Sequence, residues 1–340
     1  MNRILVTGGA GFIGSNFVHW ALARWPDTHV VNLDALTYAG NLANLAGLEN
    51  DARYTFVRGD ITDGGLLNRL MAAEVDAVVN FAAESHVDRS LMSSEPFVRT
   101  NVVGTQQLLD AARRHGVGRF LQVSTDEVYG SLGPEGSFTE SSTLSPNSPY
   151  AASKAAADLI CRAYHHSFGL PVIVSRCSNN YGPYQFPEKV IPLFVTNLFE
   201  DKKVPLYGDG LNVRDWIYVE DHCAALGTIL EKGAPGEVYN VGADCELTNL
   251  ELTRRILTAC GKDESSIEYV EDRPGHDRRY AIDSTRLRTE LGWTPQHAFD
   301  DALAQTIQWY RDHSDWWQSI KSGAYLDYYQ RQYGDRGAPG

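Results

Sequence analysis

The sequence predicts an α/β protein: a Rossmann-type, doubly wound parallel sheet with a smaller C-terminal α/β lobe. Three observations predict it. Short β-rich runs alternate with longer helical stretches through the first half, the pattern of right-handed βαβ crossovers. Those runs are nearly continuous in apolar residues, as expected of strands buried on both faces. The first run leads directly into Gly8-Gly9-Ala10-Gly11-Phe12-Ile13-Gly14, a glycine-rich turn between a strand and a helix.

The elements follow in order. Strands are predicted over 3–7, 29–33, 54–58, 77–81, 120–124 and 171–175, with helices over 12–23 and 98–115 between them. After about residue 179 the texture changes, and Gly, Pro and Tyr become frequent, as in Tyr181-Gly182-Pro183-Tyr184. Helices are expected there over 218–231, 248–259 and 300–313. A strand over 238–241 has the pattern to rejoin the main sheet. The division expected is residues 1–178 as one domain and 179–340 as mainly a second lobe. The aromatic tail 316–333 offers large apolar surface to bury and reads as ordered.

Composition bounds the function. Of 340 residues, 43% are hydrophobic and 21% charged, an ordinary soluble balance. The formal net charge of -13 argues against nonspecific partners such as nucleic acid or an anionic membrane. The five cysteines (Cys161, Cys177, Cys223, Cys245, Cys260) include no CxxC pair. Neither a disulfide framework nor a metal site is expected, and reduced thiols suit a cytoplasmic enzyme. The apolar run 4–6 is too short for a signal peptide or a membrane span.

The glycine turn is the first functional signal. Gly8, Gly11 and Gly14 permit a tight turn, close backbone approach and tight helix packing, so a pyrophosphate can sit at the helix N-terminus. Asp34 stands 20 residues after Gly14, where a carboxylate accepts hydrogen bonds from both ribose hydroxyls and repels a 2′-phosphate. NAD is therefore expected over NADP. Asp60, after the third strand, reads equally as a contact to the adenine or as a capping residue.

Two further motifs carry chemistry. Tyr150 and Lys154 are four apart, so on a helix they share a face. A lysine charge there lowers the phenol pKa and lets tyrosinate act as a base. In isolation such a pair is most often a surface pair; downstream of a dinucleotide turn it reads as catalytic. Thr125-Asp126-Glu127 follows the fifth strand, where ligands of open parallel sheets bind. Adjacent carboxyl groups can divide labour, one protonated as acid and one ionised as base. The plainer alternative is an acidic helix start.

Together these residues resemble the extended short-chain dehydrogenase/reductase family, and within it the nucleotide-sugar 4,6-dehydratases. The matching segments are 7–14, 34–41, 59–61, 82–90, 124–130, 150–154, 177–183, 187–192, 213–222 and 272–283. The Asp126-Glu127 pair is the discriminating element. The resemblance implies a nucleoside diphosphate hexose substrate, dTDP-glucose. Tyr150 would take the proton from the hydroxyl on sugar carbon 4 as hydride leaves that carbon. Glu127 would take the carbon 5 proton, Asp126 would protonate the leaving hydroxyl on carbon 6, and hydride would return to carbon 6. Thr125 would bond the carbon 4 oxygen, and Lys154 would hold the nicotinamide ribose.

The resemblance also implies Phe12, Ile13, Thr37, Asp60, Ile61, Ala83, Thr100 and Asn180 around NAD. Around the nucleotide sugar it implies Ser85, Asn179, Lys189, Tyr207, Arg214, Asn249, Arg273 and His276. The arginines suit a diphosphate. It further implies a homodimer built as a four-helix bundle from helices 98–115 and 150–166. Two other readings compete: a nucleotide-sugar 4-epimerase, which needs the Tyr–Lys pair but not Asp126-Glu127, and a non-catalytic NAD-sensing protein.

Overall fold

The computed structural model describes residues 1–272 and 275–322. Its strands in chain order are β1 (Arg3–Thr7), β2 (His29–Asp34), β3 (Tyr54–Arg58), β4 (Ala77–Asn80), β5 (Arg119–Thr125), β6 (Val172–Cys177), β7 (Asn179–Tyr181), β8 (Val204–Tyr207), β9 (Val213–Tyr218), β10 (Val238–Val241), β11 (Glu246–Thr248) and β12 (Ile267–Val270).

Seven of these form the main sheet, in the order β10-β6-β5-β4-β1-β2-β3. Every neighbouring pair in it is parallel. Successive side chains of a strand face opposite ways, and the core divides accordingly. Leu5, Val78 and Phe120 pack with Leu67, Met71, Leu108 and Leu109 from the helices Gly64–Met71 and Thr105–Arg114. Ile4, Val6, Val79 and Leu121 pack on the other face with Phe17, Val18 and Leu226 from the helices Phe12–Arg24 and Val219–Lys232. Burial on both faces is why the strands read as apolar runs. The strand order reverses between β1 and β4, and a crevice opens at such a point, beyond the carboxyl ends of the strands.

The return of residues 238–241 to the main sheet is present as β10, paired with β6. The rest of the second half builds two small sheets, β11-β9-β7 and β12-β8. The helix Val190–Phe199 had no sequence signal. It is buried almost throughout, so it lacks an amphipathic period, and its valines, isoleucine and phenylalanines mimic a strand.

One predicted element is corrected. Residues 98–115 are not a single α-helix: Val98–Gly104 is a π-helix leading into the α-helix Thr105–Arg114. Asn101 accounts for the widening. It is buried and points inward, accepting from the Glu84 amide and donating to the Glu84 carbonyl and Ser153 hydroxyl. Within the aromatic tail, Ser314–Ile320 is helical and Trp317 is buried; residues 323–333 lie outside the described residues. Among the described residues no helix is long and apolar enough to cross a membrane.

Candidate active site

The glycine turn ends β1 and starts the Phe12–Arg24 helix. Gly8 has a φ of 71°, and a Cβ there would lie 2.6 Å from the Ala82 nitrogen. A Cβ on Gly14 would lie 2.2 Å from the Gly8 carbonyl oxygen. No side chain among the described residues caps the helix at Gly11, so its first amides face the crevice. Asp34 ends β2 and closes the turn from the side. One carboxylate oxygen accepts from the Ala10 amide at 2.9 Å and the other from the Leu36 amide at 2.8 Å. Burial raises the Asp34 carboxyl above its ordinary value, and these two amides oppose the shift.

Thr125 ends β5, and a short 3-10 turn over Asp126–Tyr129 follows. The plain reading of Asp126-Glu127 as a helix start therefore describes their backbone correctly. The Thr125 hydroxyl accepts from the Glu127 amide at 3.3 Å and lies 3.3 Å from Asp126 Oδ1. Asp126 Oδ2 is buried with no hydrogen-bond partner among the described residues. Burial, then the charge of Glu127, hold the Asp126 carboxyl well above the usual carboxylate range. Both influences favour the protonated form of the carboxyl, the form that the acid half of the expected pair requires.

Tyr150 and Lys154 lie on one face of the helix Pro149–Phe168, which Ser148 caps by accepting from the Ala151 amide at 3.1 Å. Both are buried. The structure changes one expectation. The Lys154 ammonium donates to the Val123 carbonyl at 2.7 Å, and the main influences on the Tyr150 phenol are burial and the charge of Glu127, both of which raise its pKa. A hydrogen bond from Thr125 works in the opposite direction. Lys154 is not among the main influences on the phenol.

These groups share one cavity. Its walls include Gly8, Gly11, Phe12, Ile13, Gly14, Asp34, Thr37, Asp60, Ile61, Ala83, Thr100 and Asn180, together with Thr125, Asp126, Glu127, Tyr150 and Lys154. The glycine cradle, which a Cβ would fill, and the uncapped helix start fit a dinucleotide pyrophosphate. Asp60 Oδ1 accepts from the Thr62 amide at 2.8 Å, yet the residue still lines the wall, so the local-turn and cofactor readings coexist.

Of the residues expected around the sugar nucleotide, Ser85, Asn179 and Lys189 line the same cavity. Tyr207, Arg214, Asn249 and His276 lie outside its walls. Arg214 donates to the Val213 and Asp277 carbonyls, lies 4.2 Å over the Tyr280 ring, and is close enough to oppose the upward shift of Asp126. The Tyr207 ring faces His276 at 6.1 Å, and its hydroxyl reaches Asp88 at 3.4 Å. Asn249 opens the helix Asn249–Ala259, its amide donating to the Asn212 carbonyl. Arg273 lies outside the described residues.

Sequence reasoning missed a polar group on the cavity wall. Glu188 is buried beside Lys189, with Arg89 Nε at 3.2 Å and His86 Nε2 at 3.7 Å. The Arg89 guanidinium lies 4.1 Å over the Tyr38 ring, which also lines the cavity. Glu188 and His86 fall inside the matching segments 187–192 and 82–90, where Lys189, Ala83 and Ser85 were singled out and His86 reads as a structural histidine.

A glycine turn at the switch point of a parallel sheet, with a Tyr–Lys pair and carboxyl groups at the end of the next strands, defines a class: NAD-dependent enzymes of the extended short-chain dehydrogenase/reductase type. The family model described as GDP-mannose 4,6 dehydratase matches residues 5–306. A dTDP-glucose 4,6-dehydratase of Streptomyces niveus is 55% identical over 324 residues, covering 94% of this chain and 96% of its own. The crystal structure of a dTDP-glucose 4,6-dehydratase of Streptomyces venezuelae, solved with NAD bound, is 56% identical with a TM-score of 0.92, covering 94% of this chain and all of its own. A UDP-glucose 4-epimerase of Thermotoga maritima is 30% identical with a TM-score of 0.85, covering 91% of this chain and 99% of its own. The chain belongs to the nucleotide-sugar 4,6-dehydratase family, among the dTDP-glucose 4,6-dehydratases.

Proposed function

We propose that the protein is a hydro-lyase that converts dTDP-glucose to dTDP-4-keto-6-deoxyglucose and water. The observation that carries this reading is the Asp126-Glu127 pair, placed with Tyr150 on the wall of the cavity that holds the glycine turn. A 4-epimerase needs no such acid–base pair, and a sensor needs neither the pair nor Tyr150. NAD, held by the glycine turn and Asp34, would supply the hydride acceptor for carbon 4 and the hydride donor for carbon 6.

The chain's own groups move the protons. Tyr150 accepts the proton of the carbon 4 hydroxyl, and Thr125 bonds the same oxygen. Oxidation at carbon 4 makes the carbon 5 proton acidic enough for Glu127 to remove. Asp126 donates its proton to the carbon 6 hydroxyl, which leaves as water. The raised pKa of Asp126 and its unpartnered Oδ2 support that assignment. The cofactor residues are those of the glycine turn with Asp34, Thr37, Asp60, Ile61, Ala83, Thr100, Lys154 and Asn180. Ser85, Asn179 and Lys189 hold the sugar diphosphate from the cavity wall, with Tyr207, Arg214, Asn249 and His276 beyond it; Arg273 is assigned to the nucleotide sugar by the family resemblance alone.

Residues 1–178 serve the cofactor and 179–340 mainly the nucleotide sugar, in the cytoplasm. Two copies associate through the segments 98–115 and 150–166. Val98, Val103 and Leu159 support this, since each is exposed although large and apolar; sedimentation giving only a monomer at micromolar concentration would refute it. The function is tested with dTDP-glucose carrying deuterium at carbon 4. Product with deuterium at carbon 6, and no net build-up of reduced cofactor absorbance, is the expected result. A product epimeric at carbon 4 with no loss of water would overturn the reading.

A further inference from the structure

Behind the Tyr–Lys pair lies a buried ion pair that the chemistry above does not use. The helix Pro149–Phe168 places Tyr150, Lys154 and Asp158 at successive four-residue steps, so all three share one face. Asp158 is 2% exposed and Lys154 5% exposed. Asp158 Oδ2 accepts from Arg176 Nε at 2.9 Å. Arg176, on β6, is itself buried; it donates to the Tyr129 hydroxyl at 3.0 Å and lies 4.8 Å from that ring. The Tyr129 hydroxyl in turn donates to Asn240 Oδ1 at 2.8 Å.

A buried ammonium is costly. Taken out of water, a lysine tends to lose its proton rather than carry an unpaired charge. Among the described residues Lys154 has one hydrogen bond, to a neutral carbonyl. A neutral amine there could neither favour the tyrosinate nor hold a ribose with three donors. The site therefore needs a nearby negative charge that does not itself titrate at working pH. An aspartate paired with an arginine can meet that need: burial lifts its carboxyl above the ordinary value, and the guanidinium, which stays charged, is the largest influence opposing that lift.

We infer that Asp158, clamped by Arg176, is a positioning residue that keeps Lys154 in its charged form within the dry cofactor site. The inference rests on the dehydratase reading and extends it by one shell. The surroundings support it. From β6, Arg176 and Cys177 face the pair; from β5, the Val123 carbonyl and the Ser124 hydroxyl; from its own helix, Cys161. From the 3-10 turn, Asp126 and Glu127 bear on Tyr150. Asp158 is the strongest of the influences holding the Lys154 proton against burial. Arg176 and Lys154 both oppose the upward pull of burial on Asp158.

The test follows the charge of Lys154 in the NAD-bound protein. Lysine labelled with carbon-13 at Cε reports protonation by its chemical shift, and Lys154→Arg identifies the resonance. In the wild type the resonance should remain that of an ammonium from pH 6 to 9. In Asp158→Asn, which keeps the shape and can still accept from Arg176, it should titrate about one to three pH units lower. The pH profile of carbon 4 oxidation should narrow from both sides, since a neutral lysine also leaves the Tyr150 phenol harder to ionise. Asp158→Glu, which keeps the charge, should restore the width. A neutral Lys154 at pH 7 in the wild type overturns the inference even if no variant folds. So does an Asp158→Asn enzyme that loses rate with both limbs and the resonance unmoved, because the ion pair is then only structural. Failure of the wild type to form a keto sugar would instead remove the dehydratase reading and leave the lysine titration standing.

Discussion

Asp126 and Glu127 are adjacent carboxyl groups in unlike settings, and that difference is what lets one act as an acid. Asp126 is buried, its Oδ2 has no hydrogen-bond partner among the described residues, and the charge beside it disfavours ionisation. Asp126→Asn keeps the shape and removes the donated proton. Oxidation at carbon 4 should survive in this variant, while loss of water slows about 10²–10⁴-fold, the usual span for acid–base catalysis. Single-turnover measurements should therefore show reduced cofactor building up before any product appears. An Asp126→Asn enzyme that dehydrates at the wild-type rate would remove Asp126 from the acid role. At this scale the sequence was informative because each of these side chains sits in a short motif. It did not single out Glu188 or Arg176, although Glu188 lies in a matching segment, because their roles depend on partners 99 and 18 residues away.

The glycine turn shows how an element divides its tasks among residues. A Cβ on Gly14 would meet the Gly8 carbonyl at 2.2 Å, so the helix must move away from the strand. A Cβ on Gly11 would meet only that same oxygen, at 3.3 Å. Gly14→Ala should therefore destabilise the protein by about 1–3 kcal/mol even without NAD, as overpacking does. Gly11→Ala should leave the thermal midpoint nearly unchanged and still weaken NAD roughly ten- to hundredfold, because its methyl group occupies the cradle. Calorimetry with and without NAD separates the two effects, and equal midpoint losses in both variants would contradict this division. The turn was readable because glycine spacing is local. The π-helix at Val98–Gly104 was not, because it depends on Asn101 bonding to Glu84 and to Ser153 of another helix. The helix Val190–Phe199 was hidden for a related reason, since burial on all sides erases its period.

On the scale of the whole molecule, the parallel sheet was legible from its alternation of strands and helices, down to the return of Val238–Val241 beside β6. The small sheets β11-β9-β7 and β12-β8 were not, since strands of three to six residues in a Gly- and Pro-rich stretch carry little pattern. That second half also holds two buried titratable groups whose effects on stability oppose each other. His222 is buried with Nδ1 at 2.7 Å from Asn180 Oδ1, and burial pushes its pKa down to about 3. Asp215 is buried while accepting from the Cys245 amide at 2.6 Å, and burial pushes its pKa up to about 6. Between pH 6.5 and 3 the unfolded chain protonates this histidine and the folded chain does not, so its contribution to stability falls as pH falls. Between pH 3.8 and 6 the folded chain protonates Asp215 and the unfolded chain does not, so its contribution falls as pH rises. Each proton is worth at most about 1.4 kcal/mol per pH unit, and from about pH 4 to 6 the two slopes nearly cancel. Removing either group should expose the other. The cost of His222→Gln relative to wild type should grow from pH 4 to pH 6, and the cost of Asp215→Asn should shrink over the same range. Urea unfolding of the three proteins at pH 4, 5 and 6 reads both trends, with the remaining carboxylates common to all and so cancelling in the differences. If both variants drift the same way with pH, or neither drifts, then His222 is not held neutral by burial and Asp215 is not held protonated by it.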